Sequence, residues 1–158
     1  MRDVNLLMHI HWIVKTFDEL TPYQLYDILQ LRNEVFVVEQ NCIFQDADDK
    51  DQKSHHLLGL ADDKLVAYTR IVPAGEMYEY VSIGRVVTSP VVRGTGAGRV
   101  LMHKSIEVVN ELYGNVDIKI GAQYYLKKFY ASFGFAQVSD IYIEDGIEHI
   151  YMLRKALS

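Results

Sequence analysis

Apolar and polar positions along the chain follow two periods, and the switches between them mark out its elements. His9 to Val14 reads as a first strand. Thr21, Pro22 and Gln24 then announce a helix. The threonine suits the N-cap, the proline suits the first helical position where its missing N–H is not needed, and the glutamine can bond back to the cap. Leu25, Ile28, Leu29, Val35 and Phe36 continue that helix on one face, and Gln45 to Lys53 is a polar, acidic loop. Two short apolar runs, His56 to Leu60 and Leu65 to Val72, flank Asp62-Asp63-Lys64 and predict a hairpin. Tyr78 to Thr88, rich in Val, Ile and Tyr, reads as a longer strand that stops at Pro90.

After Gly94-Thr95-Gly96-Ala97-Gly98, the residues Met102, Ile106, Val109 and Tyr113 share one helical face, with Leu101, Val108 and Leu112 beside it. Gly114 ends that helix. Val116 to Ile120 is a short strand, and Leu126, Phe129, Tyr130 and Phe133 mark a further helix closed by Gly134. Phe135 to Val138 and the two runs around Asp145-Gly146 finish as strands, the Asp-Gly pair favouring a tight hairpin. No repeat, low-complexity tract or linker interrupts this order. It predicts one α/β (α+β) domain over residues 1–158, with a mixed, largely antiparallel central sheet and helices on both faces.

Composition narrows the function. With 158 residues, 49 % of them hydrophobic, the chain can bury a core without disulfides or a structural metal. Sixteen basic against 21 acidic residues leave a net charge of −5, which argues against a general nucleic-acid binder. No run of about 18 apolar residues predicts a membrane span. Met1 to Lys15 carries His9, His11 and Lys15 among its apolar residues and does not read as a signal peptide. A single cysteine, Cys42, makes a reducing cytoplasm the expected location. The charge is unevenly placed. Six aspartates fall between Gln45 and Asp63, whereas Tyr80 to Ile106 holds Arg85, Arg93, Arg99 and Lys104 and no acid. An acidic protein that clears one long segment of acids has the composition of an anion site there.

Gly94, Gly96 and Gly98 lie where strand gives way to helix, between Arg93 and Arg99. The first turn of a helix offers unpaired N–H groups and a partial positive charge, and glycines allow a phosphate to approach the backbone. The spacing fits neither a mononucleotide loop, which needs Gly-Lys-Ser/Thr, nor the dinucleotide G-x-G-x-x-G. Asp117 stands about 20 positions on, but at the start of its strand instead of the end where a ribose-binding acid belongs.

The pattern that remains, Arg93-x-x-Gly96-x-Gly98 after Val86-Val87-Thr88-Ser89-Pro90, resembles the coenzyme A signature of the GNAT superfamily of N-acetyltransferases. Phe129-Tyr130-Ala131-Ser132-Phe133-Gly134-Phe135 resembles that superfamily's second signature. Residues 31–40, Ile83 to Val87 and Glu144 to His149 are most similar to the ElaA group within it. The resemblance implies acetyl-CoA as acetyl donor, held by Val86, Val87 and Thr88 along the pantetheine arm and by Arg93, Gly94, Thr95, Gly96, Ala97, Gly98 and Arg99 at the pyrophosphate. It implies direct attack by an amine of a small molecule or peptide, with Tyr130 as the acid that protonates the departing thiolate. A tyrosine of pKa about 10 is protonated at neutral pH and lies within about 1.5 units of a thiol of pKa about 8.5, so it can hand its proton to the departing thiolate.

The base is left open among Glu79, His149, Glu39 and a chain of waters, and Arg32 and Arg85 stand as either substrate ligands or structural ion pairs. The acidic stretch 45–63 hints at a cationic acceptor and a solvated loop at the substrate mouth. No metal site is expected. Asp46 to Asp51 begins like a calcium loop but places Lys50 and Asp51 where a ligand and a glycine belong. His55 and His56, adjacent on a strand, point to opposite faces. Cys42 reads as a small semi-buried residue. A non-catalytic acyl-CoA sensor and a small nucleotide-binding module are the alternative functions, and a homodimer stays open.

Overall fold

The computed structural model describes residues 9–158, so the first eight positions of the segment read as lacking a targeting signal lie outside the described residues. Strands β1 (His11–Thr16), β2 (His55–Ala61), β3 (Lys64–Val72) and β4 (Ser82–Thr88) form an antiparallel meander in that order. Strands β5 (Ile118–Gln123), β6 (Phe135–Gln137), β7 (Tyr142–Glu144) and β8 (Ile147–Arg154) form a second antiparallel group. There β8 takes β5 along one edge and β6 and β7 along the other. The two groups join where Val81 bridges Ile118 in parallel and the Lys119 N–H donates to the Val81 carbonyl at 2.9 Å.

Helices α1 (Pro22–Arg32) and α2 (Ala97–Tyr113) cover opposite faces, with α3 (Lys127–Ala131) between β5 and β6 in the chain. The alternation along the strands sorts the core accordingly. Leu58, Tyr68 and Val87 pack with Ile28, Leu31 and Val35 from the α1 side. Leu57, Ala67, Ile71 and Ile83 pack with Leu101, Met102 and Val109 of α2, and with Ile118, Ile120, Ile150 and Met152 from the second group. One core therefore spans the junction. Thr69 Oγ1 and Ser105 Oγ, 2.8 Å apart and both buried, satisfy each other between β3 and α2. Among the described residues no helix is long and apolar enough to cross a membrane.

Local chemistry fixes the turns. Thr21 Oγ1 accepts from the Gln24 N–H at 3.1 Å and Gln24 Oε1 accepts from the Thr21 N–H at 2.9 Å, the expected capping box. Asp62-Asp63 and Asp145-Gly146 each span a two-residue hairpin with all four φ values between +49° and +78°, matching the right-handed twist of the strands they join.

Several boundaries differ from the sequence expectation. The first strand begins at His11 and runs on to Thr16, because its pairing with His55 to Leu60 continues regardless of side-chain polarity. The stretch expected to be extended from Tyr78 is strand only from Ser82. Gly75, at φ +93°, opens a turn whose N–H donates to the Tyr78 carbonyl, and Tyr78 packs edge-on against Tyr151, 5.7 Å between centroids. The segment from Val116 pairs over Ile118–Gln123. The helix expected around Leu126 to Phe133 is regular only over Lys127–Ala131, with a 3₁₀ turn, Tyr124–Leu126, before it. Beyond α1 the backbone widens into a π-helical stretch, Asn33–Glu39, in which Gln40 N–H bonds to the Val35 carbonyl and Cys42 N–H to that of Val37. Each such i→i−5 bond adds a residue to the turn and rotates the following side chains off the α1 stripe.

Candidate active site

Between β4 and β5 the sheet opens. After the Val81–Ile118 bridge, β4 keeps pairing with β3 alone among the described residues. Tyr68 pairs with Val87 and Arg70 with Gly84, so Thr69 alone faces both Arg85 and Val86, a bulge in which Arg85 takes φ +50°. The Ser89 N–H donates to the Val66 carbonyl across the β3 edge at 2.7 Å. Antiparallel alternation then turns the backbone groups of Val86 and Thr88 to the opposite edge, into the opening.

The opening forms a cavity of about 770 Å³, within the range of small-molecule sites. Val86, Val87 and Thr88 line one wall, Leu126 and Tyr130 another, and Glu39, Cys42 and His149 approach from the π-helical stretch, the segment after it and β8. Arg93 lines it as well, its Nη1 2.5 Å from Glu39 Oε1.

Gly94 to Arg99 lie outside that lining, at the start of α2. Gly94 and Gly96 have φ +77° and +88°, values at which an L side chain is strained. Gly96 is the N-cap, no side chain caps the helix, and no atom lies within 4 Å of where its Cβ would stand. Ala97 and Gly98 follow in that uncapped first turn, the Ala97 side chain buried, and first-turn N–H groups of this kind fit the phosphates of coenzyme A. Arg99 is held against the residues just after α3, its guanidinium 4.9 Å from the centre of the Phe133 ring and its Nη1 donating to Ser132 Oγ at 3.2 Å.

Tyr130 reaches the cavity from α3 with only 6 % of its surface exposed, packed edge-on against Phe129 and Phe135. Burial, with Tyr125 nearby, pushes its phenol above the usual tyrosine range, so it is a proton donor near neutrality. The base candidates separate clearly. Glu79 is exposed and outside the cavity lining, Glu39 is engaged by Arg93, and His149 lines the cavity with its Nδ1 2.8 Å from the Ile147 carbonyl.

The acidic stretch does reach the cavity, which Gln45, Asp48 and Lys50 line, but three of its aspartates are paired instead of solvated, and there the structure corrects the sequence reading. Asp46 and Asp51 are buried and, with Asp48, pair with three arginines. Arg32, fully buried, donates from Nε to Asp46 at 2.7 Å and from Nη1 to Asp51 at 2.8 Å, which removes it from the substrate ligands. Arg70, also fully buried, grips Asp48 in bidentate fashion at 2.7 and 2.9 Å and reaches Asp51 at 3.1 Å. Arg85 donates from Nη2 to the Asp46 carbonyl at 2.9 Å, and its Nε lies 2.8 Å from Asp46 Oδ1 without hydrogen-bond alignment. With Asp48 Oδ2 at 3.3 Å from Nη2 as well, Arg85 serves as an ion-pair member that fixes the bulge, although it also lines the cavity.

Burial alone would raise the Asp48 carboxyl, but the Arg70 hydrogen bonds and the charges of Arg70 and Arg85 outweigh it and bring it to about 2. Three of the six aspartates that hinted at a cationic acceptor are therefore neutralised within the protein. His56 completes the cluster. Its Nε2 lies 2.9 Å from the Asp51 carbonyl, which only accepts, so Nε2 carries the proton and Nδ1 accepts from the Tyr68 hydroxyl at 2.7 Å. Burial holds the ring below its usual pKa. Sequence reasoning missed Arg70 and its carboxylate partners. The signal was present: a lone arginine inside the apolar run Leu65 to Val72 needs a buried counter-charge. Cys42 is buried and donates from Sγ to the Asp145 carbonyl at 3.0 Å.

Residues 24–156 match the family model described as Acetyltransferase (GNAT) domain. The chain is 45 % identical over 150 residues to Protein ElaA of Escherichia coli, covering 94 % of this chain and 98 % of that one. It is 44 % identical over 147 residues to the UPF0039 protein sll0451 of Synechocystis, covering 92 % and 96 %. Among solved structures, an acyl-CoA N-acyltransferase from Pseudomonas aeruginosa superposes with a TM-score of 0.88 at 39 % identity, over 92 % of this chain and 99 % of that one. E. coli ElaA superposes with a TM-score of 0.87 at 44 % identity, again over 92 % and 99 %. Splayed strands, an uncapped glycine turn and the match over most of its length lead to one assignment: the chain belongs to the GNAT acetyltransferase family, with ElaA among its relatives.

Proposed function

We propose that the protein is an acetyl-CoA-dependent N-acetyltransferase that works by direct attack of an acceptor amine, a small molecule or a peptide, in the cytoplasm. The observation that carries this reading is the opening of the sheet at β4. The free backbone edge of Val86 and Thr88 faces the same cavity as the buried hydroxyl of Tyr130. Coenzyme A, when bound, supplies an activated thioester. Gly96, Ala97 and Gly98 receive its pyrophosphate at the start of α2, with the Arg93–Glu39 pair beside it on the cavity wall. Val86 and Thr88 align the pantetheine arm as a strand edge would, and an N–H of this edge stabilises the oxyanion as the amine attacks. Tyr130 gives its proton to the departing thiolate. Orientation in an enclosed site supplies much of the acceleration and no covalent enzyme intermediate is needed.

Incubating the protein with acetyl-CoA and a panel of primary amines tests this reading, with thiol release and acetylated product followed together. Both are expected to appear in equal amounts. Acetyl-CoA binding with no product from any amine would favour the sensor, and stabilisation by a dinucleotide but not by acetyl-CoA would favour the nucleotide module.

A further inference from the structure

We infer that His149 is the general base of this site and that its acceptor is a protonated primary alkylamine. The inference rests on the acetyltransferase reading and deepens it. Nδ1 of His149 lies 2.8 Å from the Ile147 carbonyl oxygen. A carbonyl oxygen only accepts, so in the neutral ring the proton sits on Nδ1 and the lone pair on Nε2. Nε2 makes no hydrogen bond to another described residue, and its nearest charged neighbour is Glu144 Oε2 at 3.6 Å. The ring is stacked on Tyr142, with centroids 5.7 Å apart and planes 27° apart, which fixes its direction. Only 12 % of its side chain is exposed, and it lines the cavity that Thr88 and Tyr130 also line.

Three other groups on that cavity are already engaged. Asp48 is locked by Arg70 and Glu39 by Arg93, while Cys42 donates to the Asp145 carbonyl. The titratable groups near the ring are Glu144 and Tyr142 on β7 and Asp145 in the turn. The neighbour from β5 is the uncharged Gln123, whose amide bonds Gln40 at 3.3 Å. Glu144 thus stands beside the one place where an ammonium must arrive to reach the lone pair.

The protons and electrons balance. The ammonium gives one proton to Nε2 and becomes a nucleophilic amine, and imidazolium forms next to the Glu144 carboxylate. The amine nitrogen forms a bond to the thioester carbon, the carbon–sulfur bond breaks, and the thiolate takes the Tyr130 proton. The new amide nitrogen loses its extra proton, which restores Tyr130 through solvent. His149 releases its proton to solvent, so each turnover of the cation yields amide, free thiol and one proton.

His149→Asn tests this assignment, because an asparagine retains a donor for the Ile147 carbonyl and removes the Nε2 lone pair. With 1,4-diaminobutane, kcat/KM is expected to fall about 10²–10⁴-fold, and its rise with pH, which levels off in the wild type, to continue toward the pKa of the amine itself, because only the neutral amine then reacts. With hydroxylamine, already neutral at assay pH, the loss is expected to stay within about tenfold. Acetyl-CoA affinity and Tm, read in parallel, are expected to hold, and Glu144→Gln should shift the pH at which the rise levels off without removing the plateau. Equal losses for the two amines, or a rise that still levels off as it does in the wild type, would overturn the inference. If the wild type acetylates neither of these two but the wider amine panel gives product, the acceptor class assigned here is overturned; if no amine gives product, the acetyltransferase reading fails first. The ring's ¹⁵N shifts in the wild type then decide His149 alone: a pyridine-like Nε2 supports the inference and an Nε2–H tautomer overturns it.

Discussion

Replacing Asp51 by asparagine removes one charge from a balanced cluster. Arg32, Arg70 and Arg85 face Asp46, Asp48 and Asp51, and the two arginines nearest Asp51 are completely buried. The substituted amide could still accept one hydrogen bond where Asp51 Oδ1 now serves Arg32 at 2.8 Å and Arg70 at 3.1 Å. The loss leaves a guanidinium charge in a site closed to water, which costs about 3–5 kcal/mol when one partner of a buried pair is removed. For a chain of 158 residues that corresponds to about 6–20 °C in Tm. Urea unfolding of wild type and Asp51→Asn should show a lower midpoint with an unchanged slope. Adding Arg70→Met, which removes the stranded charge while keeping bulk, should recover part of the loss. A loss below about 1 kcal/mol, the worth of a solvent-exposed pair, would refute the claim that these charges are sequestered.

Acid should expose the same cluster in two stages. Burial keeps His56 below its usual pKa, so the unfolded chain takes up that proton first. Stability is then level above about pH 7 and declines as pH falls below about 6.5. Asp48, held near 2, adds stability that is complete above its ordinary value near 3.8 and lost as pH falls toward 2. Thermal melts across pH 2–8 read both stages, and a His56→Gln variant that retained the upper one would contradict the first. Tyr130→Phe should lower kcat about 10²–10⁴-fold while acetyl-CoA affinity, read by calorimetry, stays level; loss of both would make Tyr130 a packing residue. Gly96→Ala places a side chain at φ +88° and should weaken acetyl-CoA binding by about 5–30-fold, from about 1–2 kcal/mol of strain at the loop; equal affinity would argue against that contact.

What could be read from the sequence was local. The capping box at Thr21, the Asp62-Asp63 and Asp145-Gly146 turns and the glycine turn before α2 each lie within a few residues, where side-chain chemistry alone selects the backbone. The stripe of Met102, Ile106 and Val109 announced α2 for the same reason. The rest depends on distant partners. Arg32 meets Asp46 across 14 positions and Arg85 meets Asp48 across 37, and no periodicity encodes such pairs. Placing six aspartates in one stretch looked like surface because exposure is the usual state of aspartate. Three of them instead neutralise arginines embedded in apolar segments. The bulge at Arg85 and the widened turn after α1 likewise arise from packing, since the local sequence there is compatible with regular strand and helix.

The account stands or falls on where acetyl-CoA binds. Titrating the ¹⁵N-labelled protein with acetyl-CoA and following its backbone amides is the most direct measurement. The account predicts that Val86, Thr88, Ala97 and Gly98 shift together and saturate with one equivalent. Saturable shifts elsewhere, with these four amides unmoved, would contradict it.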